Sequence, residues 1–469
     1  MITPHRLETP IAALLALLLS ACAAGPDYQR PALDVPQSFR EQGVDWHVLQ
    51  SKPTPPRDWW ADLQDATLSA LVAQANQHNQ TLAQAEAAYR AAAANVQAAR
   101  AQRVPTLGVA VSAQRGNDLA SARNASSTSK PVSQQTSTEL TASWEPDFWG
   151  KVRRDIEAGE ASYAAQAADL SAQRLSIATA VVSDYLNLRQ LDADIALLQQ
   201  QRELNAQLLG MVVASQLRGG SAADDVLSAR DALDNADIAL VSSQTAREQY
   251  EHALAVLCGQ APASFSIVPV SDYVFRLANV PAAVPADLLQ QRNDIIASER
   301  EVAAANAQIG VAQAAFFPSL TLSASSGYAS DTFARLLSAP NLIWSLGPQL
   351  AATLLDGGAR KAAVAQARAN QQAASANYRQ TVLSAFAEVE DDLSAWHHLT
   401  DQSSWAAAVA QRETLLLTHT RQQQNLGSAS TQDVLRQQLN RASAQRNAVD
   451  AQAQNSLASV KLVSAIGGI

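Results

Sequence analysis

The chain has 469 residues and a formal net charge of -9, and it is 47% hydrophobic but only 5% aromatic. Alanine carries much of the apolar content, so a large aromatic core is not expected, and long helices packed through small residues are. No block of Lys/Arg occurs, which excludes the electrostatic footprint of a nucleic-acid binder; the mild acidity suits a solvated surface or a lumen that tolerates cations.

At the N-terminus, His5 and Arg6 precede an apolar run from Ile11 to Leu19. The run is too short to cross a bilayer as a stable helix and reads as the core of a secretory signal. Leu19-Ser20-Ala21-Cys22 looks like a lipobox, which makes residues 1–21 a removable signal and Cys22 a lipidated first residue. The alternative is an ordinary signal with a chance cysteine. Ala23, in place of an Asp after the cysteine, favours delivery to the outer membrane. The other cysteine, Cys258, sits in an apolar helix end and is expected to be a small buried hydrophobe.

Residues 22–60 read as a Pro-rich, poorly helical tether. It opens on Gly25-Pro26-Asp27-Tyr28 with Arg30-Pro31 and closes on Trp59-Trp60; Asp65 then starts a helical pattern. An internal duplication follows. Asn79-Gln80-Thr81-Leu82 with Glu86 matches Arg292-Asn293-Asp294-Ile295 with Glu299, and Val104-Pro105-Thr106-Leu107 matches Phe317-Pro318-Ser319-Leu320, both at an offset of 213. Gly219 with Asp225-Val226-Leu227 matches Gly427 with Asp433-Val434-Leu435 at an offset of 208. The repeats are placed at 61–261 and 262–469, each ordered as helix, two strands, very long helix, tight turn and helix.

No Pro occurs from Asp147 to Ala261 or after Pro348. In the first of these spans Ile177, Val181, Leu188, Leu191, Ile195 and Leu198 keep heptad spacing; in the second, Tyr378, Val382, Phe386, Val389, Leu393 and Trp396 alternate gaps of four and three. Both are coiled-coil seams. One helix from Gly150 to Gly219 would extend roughly 100 Å, far more than a globular domain needs.

Leu107, Val109 and Val111 alternate with small residues, as do Leu140, Ala142 and Trp144, then Leu320 and Leu322; a fourth strand is expected near Asn341 to Leu354. Trp144, Trp149 and Trp344 lie near strand ends, where interfacial aromatics belong. Arg115 to Thr136 reads as an exposed outer loop and Ala329 to Pro340 as a shorter one. Four strands cannot close a barrel; if they enter a membrane, where lipid forbids open sheet edges, the chain must pool them with copies of itself. The expected fold is mainly α with a membrane β-barrel.

These residues together resemble the outer-membrane factors of bacterial efflux systems, in the TolC-like superfamily, and within them the NodT family of lipoproteins. The resemblance covers essentially the whole mature chain. It implies a homotrimer in outer-membrane lipid, with four strands per chain in one shared β-barrel and a coiled-coil α-barrel through the periplasm. It implies two partners: a periplasmic adaptor (membrane fusion) protein and an inner-membrane pump of the RND class. The cargo implied is small toxic compounds passing from periplasm to exterior; the alternative within the same reading is the channel of a type I protein secretion system. The resemblance also implies that adaptors dock at the interhelical turns Leu217, Arg218, Gly219, Gly220, Ser221 and Leu426, Gly427, Ser428, Ala429, Ser430. It makes Asp225 and Asp433 candidate residues of the periplasmic gate. Arg436 stands where some relatives place a second Asp and offers a salt bridge instead. Plain helix capping is the other role for both aspartates.

No His-Glu-x-x-His, Gly-x-Ser-x-Gly or Walker loop is present. His397-His398 is adjacent rather than four apart, so the pair is not expected to share a metal. No cofactor and no catalytic residue is expected, and carboxylates scattered along the helices read as solvated faces. Two readings compete with the channel. A periplasmic adaptor would carry one hairpin rather than two. A purely structural coiled-coil lipoprotein would leave the strands and glycine turns without a purpose.

Overall fold

A computed structural model describes residues 24–33, 35–36, 39–40, 58–117, 132–279 and 292–467. Cys22 and the leader lie outside the described residues. Asp65 caps helix α1 (Ala66–His78) by accepting the N–H groups of Thr67 and Leu68 at 2.8 and 3.0 Å. Asn79 ends that helix and starts α2 (Gln80–Ala101): its Oδ1 accepts from Thr81 and Leu82, and its Nδ2 donates to the Leu257 carbonyl at 2.9 Å. A buried amide that satisfies both its donor and its acceptor makes the break a built feature and not a frayed one.

After α2 come strands β1 (Thr106–Asn117) and β2 (Val132–Trp144), the long helix α3 (Lys151–Gln216) and its return helix α4 (Ala223–Leu257). The second half follows the same order: α5 (Asn293–Ala314), β3 (Ser319–Ser330), β4 (Leu342–Ala351), α6 (Ala359–Asn425) and α7 (Thr431–Ile466). α5 and β3 begin and end 213 residues after α2 and β1, whereas α6 and α7 begin 208 residues after α3 and α4. The five missing residues therefore fall between the end of β3 and the start of α6, which includes the shorter hairpin connection. At 66 and 67 residues, α3 and α6 each extend roughly 100 Å.

The strands are longer than the loop reading allows. β1 runs through Arg115 to Asn117 and β2 starts at Val132, inside the stretch Arg115 to Thr136 that reads as a loop. The ladder continues through this stretch, Gln114 with Gln135 and Arg115 with Gln134, so polar composition on both faces does not end the strand pair. β4 keeps within the expected span but stops at Ala351.

The chain divides into two compact units. The first draws on Met1–Ala32, Tyr89–Gln166 and Ala297–Tyr378 and holds the sheet, whose order is β1-β2-β3-β4 with every pair antiparallel. Tyr89 stacks on Tyr163 with ring centroids 4.9 Å apart, and Trp149 stacks on Phe317 at 4.8 Å while its Nε1 donates to the Pro318 carbonyl at 2.7 Å.

The second unit draws on Leu33–Ala88, Ala167–Ile296 and Arg379–Ile469. Its core gathers Trp59, Trp60, Leu68, Val72, Val181, Leu186, Leu254 and Val460. Two edge-on aromatic pairs lie in this unit: Trp59 meets Trp60 at 5.8 Å, and Tyr185 meets Tyr273 at 6.1 Å. Of the α3 seam, Ile177, Val181, Leu188 and Leu198 are buried; of the α6 seam, Val382, Val389 and Leu393 are. Cys258 is fully buried with its thiol against the Leu71 carbonyl at 3.6 Å, and burial pushes its pKa up to about 11, as befits a packing residue.

Candidate functional site

The two interhelical turns are built alike. At the first, the Gly220 N–H reaches back to the Ser215 carbonyl at 2.9 Å, and at the second the Ser428 N–H reaches Gln423 at 2.9 Å. These are the closing bonds of Schellman motifs, which place the preceding residue in the left-handed region. That residue is Gly219 at φ +79° and Gly427 at φ +76°. A side chain at either would meet no neighbour, so the demand for glycine is one of backbone angle alone. Leu217 and Leu426 are more than four-fifths exposed at the two turns.

Asp225 and Asp433 each sit at the third position of the return helix. Asp225 Oδ2 accepts the Ala222 N–H at 2.9 Å. Asp433 Oδ2 accepts the Ser430 N–H at 2.9 Å and the Ser430 hydroxyl at 2.7 Å, while Ser430 Oγ accepts the Asp433 N–H at 3.2 Å. The second turn thus carries a full capping box and the first only its carboxylate half, since Ala222 has no acceptor side chain. Ser430 holds the Asp433 carboxyl below its ordinary pKa, with the Arg436 charge a lesser contributor. Arg436 makes no ion pair with Asp433 among the described residues.

The sheet has two chemically distinct faces. Opposed residues in an antiparallel pair share a face. One face carries Val109, Leu140, Trp344, Leu346 and Leu350, all more than half exposed. The other carries Ser112, Ser137, Thr141, Ser325, Ser345 and Gln349, with hydroxyl pairs Ser112–Ser137 at 2.8 Å and Ser325–Ser345 at 3.0 Å. β1 and β4 have one neighbour each among the described residues.

Residues 24–28 are docked within the first unit. The Ala24 N–H donates to the Trp149 carbonyl at 3.0 Å, and Gly25 lies so close to Gly310 that a side chain on it would fall 2.4 Å from the Gly310 Cα. Arg154, buried, binds the Asp27 carboxylate at 2.7 Å and the carbonyls of Ala24 and Gly25. Asn306 donates to the Pro26 carbonyl at 2.9 Å, and the Tyr28 hydroxyl donates to Glu299.

Not all helix carboxylates are solvated, contrary to the reading from sequence. The Asp192 side chain is fully buried between Arg189 at 2.8 Å and Arg247 at 2.6 Å, and it accepts the Val270 N–H at 3.0 Å. Arg247 and Arg189 also donate to the carbonyls of Ile267 and Val268 at 2.7 Å, so the pair of cations clamps the linker after α4. Asp194 binds Arg446 at 2.5 Å and Ser243 at 2.9 Å. A buried carboxylate survives only when paired and hydrogen-bonded, and Arg247 and Arg446 lie 55 and 252 residues from their aspartates, beyond the reach of local pattern.

A family model for outer membrane efflux proteins matches residues 71–260 and 284–468. Nodulation protein T of Rhizobium leguminosarum bv. viciae is 31% identical over 466 residues, covering 97% of this chain and 92% of its own. Cation efflux system protein CusC of Escherichia coli (strain K12) is 27% identical over 97% of this chain and 98% of its own. A crystal structure of CusC superposes with a TM-score of 0.80 at 26% identity over 96% of this chain and 100% of that one. The outer-membrane channel OprN superposes with a TM-score of 0.82 at 25% identity over 96% and 99%. Neither an adaptor nor a structural stalk accounts for these matches across both repeats. The chain shares the fold of solved outer-membrane channels and belongs to the outer membrane efflux protein family.

Proposed function

We propose that the protein works as a homotrimeric outer-membrane conduit, without enzymatic activity, through which small toxic compounds leave the periplasm. One observation carries the reading: a four-stranded sheet with an exposed apolar face, a polar face and two edges open to further pairing. Lipid accepts the first face, water the second, and neither edge is stable in lipid until it is paired. No helix of the described residues is long and apolar enough to cross a membrane. Exposed Ile238, Val241, Leu383 and Trp405 on the helices are consistent with burial against further copies.

Residues 1–21 act as the signal, 22–60 as the anchored segment, and 61–261 and 262–469 as the two repeats. Cys22 is lipidated. Support comes from Ala24, pinned at Trp149 beside the strand-to-helix junction: two residues of chain reach roughly 7 Å, so the lipid enters the leaflet close to the base of the sheet. The turns 217–221 and 426–430 dock a periplasmic adaptor, which links the channel to an inner-membrane pump of the RND class. Asp225 and Asp433, with Arg436 beside the second, line the periplasmic gate.

The protein purified in mild detergent is tested by light scattering, planar-bilayer recording and mass spectrometry of its N-terminus. The expected result is a particle of three chains that conducts ions and begins with an acylated cysteine. A stable monomer without conductance would overturn the conduit, and an unmodified N-terminal cysteine the anchor. A photocrosslinker at Ala429 is expected to capture an adaptor hairpin in cells; capture of no periplasmic protein sinks the docking assignment.

A further inference from the structure

The polar face of the sheet is neutral apart from one residue. Among the described strand residues only Arg115 and Glu139 are charged. Register separates them: Arg115 pairs with Gln134 and lies on the same side as Val109 and Val111, whereas Glu139 lies with Ser137 and Thr141 on the polar side. Glu139 is flanked across the strands by Ala110 on β1 and Gly327 on β3, the smallest neighbours a strand can offer. At Gly327 a Cβ would fall 2.1 Å from the Thr138 carbonyl and 2.7 Å from the Glu139 Cα. Nothing bulkier than glycine therefore fits against the β2 backbone opposite Glu139. Among the described strand residues no Lys or Arg stands on this face, and among the described residues no ion pair engages Glu139.

We infer that Glu139 is the residue that sets ionic selectivity within the β-barrel: three copies form a single acidic girdle on an otherwise neutral strand wall, favouring inorganic cations and cationic solutes over anions. The inference rests on the trimeric conduit proposed above. Physically, a fixed charge on a wall of low-polarisability backbone attracts counter-ions across the pore, and the small neighbours keep its field open to the lumen. Solvent ions screen it over about 10 Å at 0.1 M salt, a distance comparable to a narrow pore radius, so its effect grows as salt is lowered.

The test is the reversal potential of the reconstituted channel in a potassium chloride gradient. Glu139→Gln is expected to lower the potassium-to-chloride permeability ratio about threefold near 0.1 M salt, and by less at 1 M. Glu139→Cys is expected to show the same loss and to regain the wild-type ratio on treatment with an anionic methanethiosulfonate reagent, which restores the charge in the already folded channel. Cys258, fully buried, does not compete for the reagent. A ratio equal to wild type for both variants, in intact conducting trimers, would overturn the assignment. A wild-type protein that conducts no ions overturns the conduit, and the inference with it; the wild-type recording separates the two failures.

Discussion

Asp225 and Asp433 each accept the N–H of the residue three positions earlier, so capping alone explains their place in a single chain. The gate reading asks more of them. On the proposed trimer, six carboxylates at the periplasmic gate would bind cations. We predict that Asp225→Ala with Asp433→Ala raises single-channel conductance and weakens block by multivalent cations added from the periplasmic side. Capping by itself predicts a less stable trimer of unchanged conductance, and that outcome would return both residues to a structural role. The aspartates and their glycine turns were legible because the duplication repeats them at one offset. The Asp192 clamp was not. A carboxylate on a helix face looks the same in sequence whether water or two guanidinium groups meet it, and Arg247 approaches from another helix.

At the level of elements, the long helices were readable to within a few residues because Pro is absent and glycine closes each one. The strands were readable on their apolar face and less so at their ends. Ser, Gln and Thr serve equally well in a loop and on a water-filled face, so the outer halves of β1 and β2 carried no signal of their own. The division of faces makes a prediction. Val109→Arg places a charge where lipid is expected and should cost about 2–4 kcal/mol near the bilayer midplane. Ser112→Arg, three residues on and on the polar face, should cost little. The yield of heat-resistant trimer in outer-membrane fractions measures both; equal yields for the two variants would mean that Val109 does not face lipid.

Across the described residues, burial raises the pKa of four aspartates, Asp169, Asp184, Asp392 and Asp450, so all four respond to pH in the same direction. Burial raises Asp184 to about 6, and burial, then the neighbouring Glu388 charge, raises Asp392 to about 6, both from an ordinary value of 3.8. A group with a raised folded pKa binds its proton more tightly when folded, so its contribution to stability is full below about 4 and is lost as pH rises through 6. The protein is therefore predicted to grow more heat-stable on acidification from pH 7 to 5. Asp356, held at about 2 chiefly by Arg360, and Asp433, lowered by Ser430, work in the opposite sense only below 3.8, outside this window. Thermal melts of the wild type and of Asp392→Asn provide the check. A flat wild-type profile between pH 5 and 7, or an unaltered slope in the variant, would contradict the assignment.

The pairing of β2 with β3 joins the two halves of the chain in the middle of the sheet, Thr136 to Ser330 and Trp144 to Leu322. Its consequence lies in time. The first hairpin is synthesised with the edge destined for β3 uncovered, and it stays so until Ser319–Ser330 has followed it. Contacts this distant in sequence form late and slowly, and an uncovered strand edge accepts any other strand that meets it. The duplicated half of the chain is thus its own delayed partner: the order of synthesis makes the first hairpin wait, and the second completes the sheet.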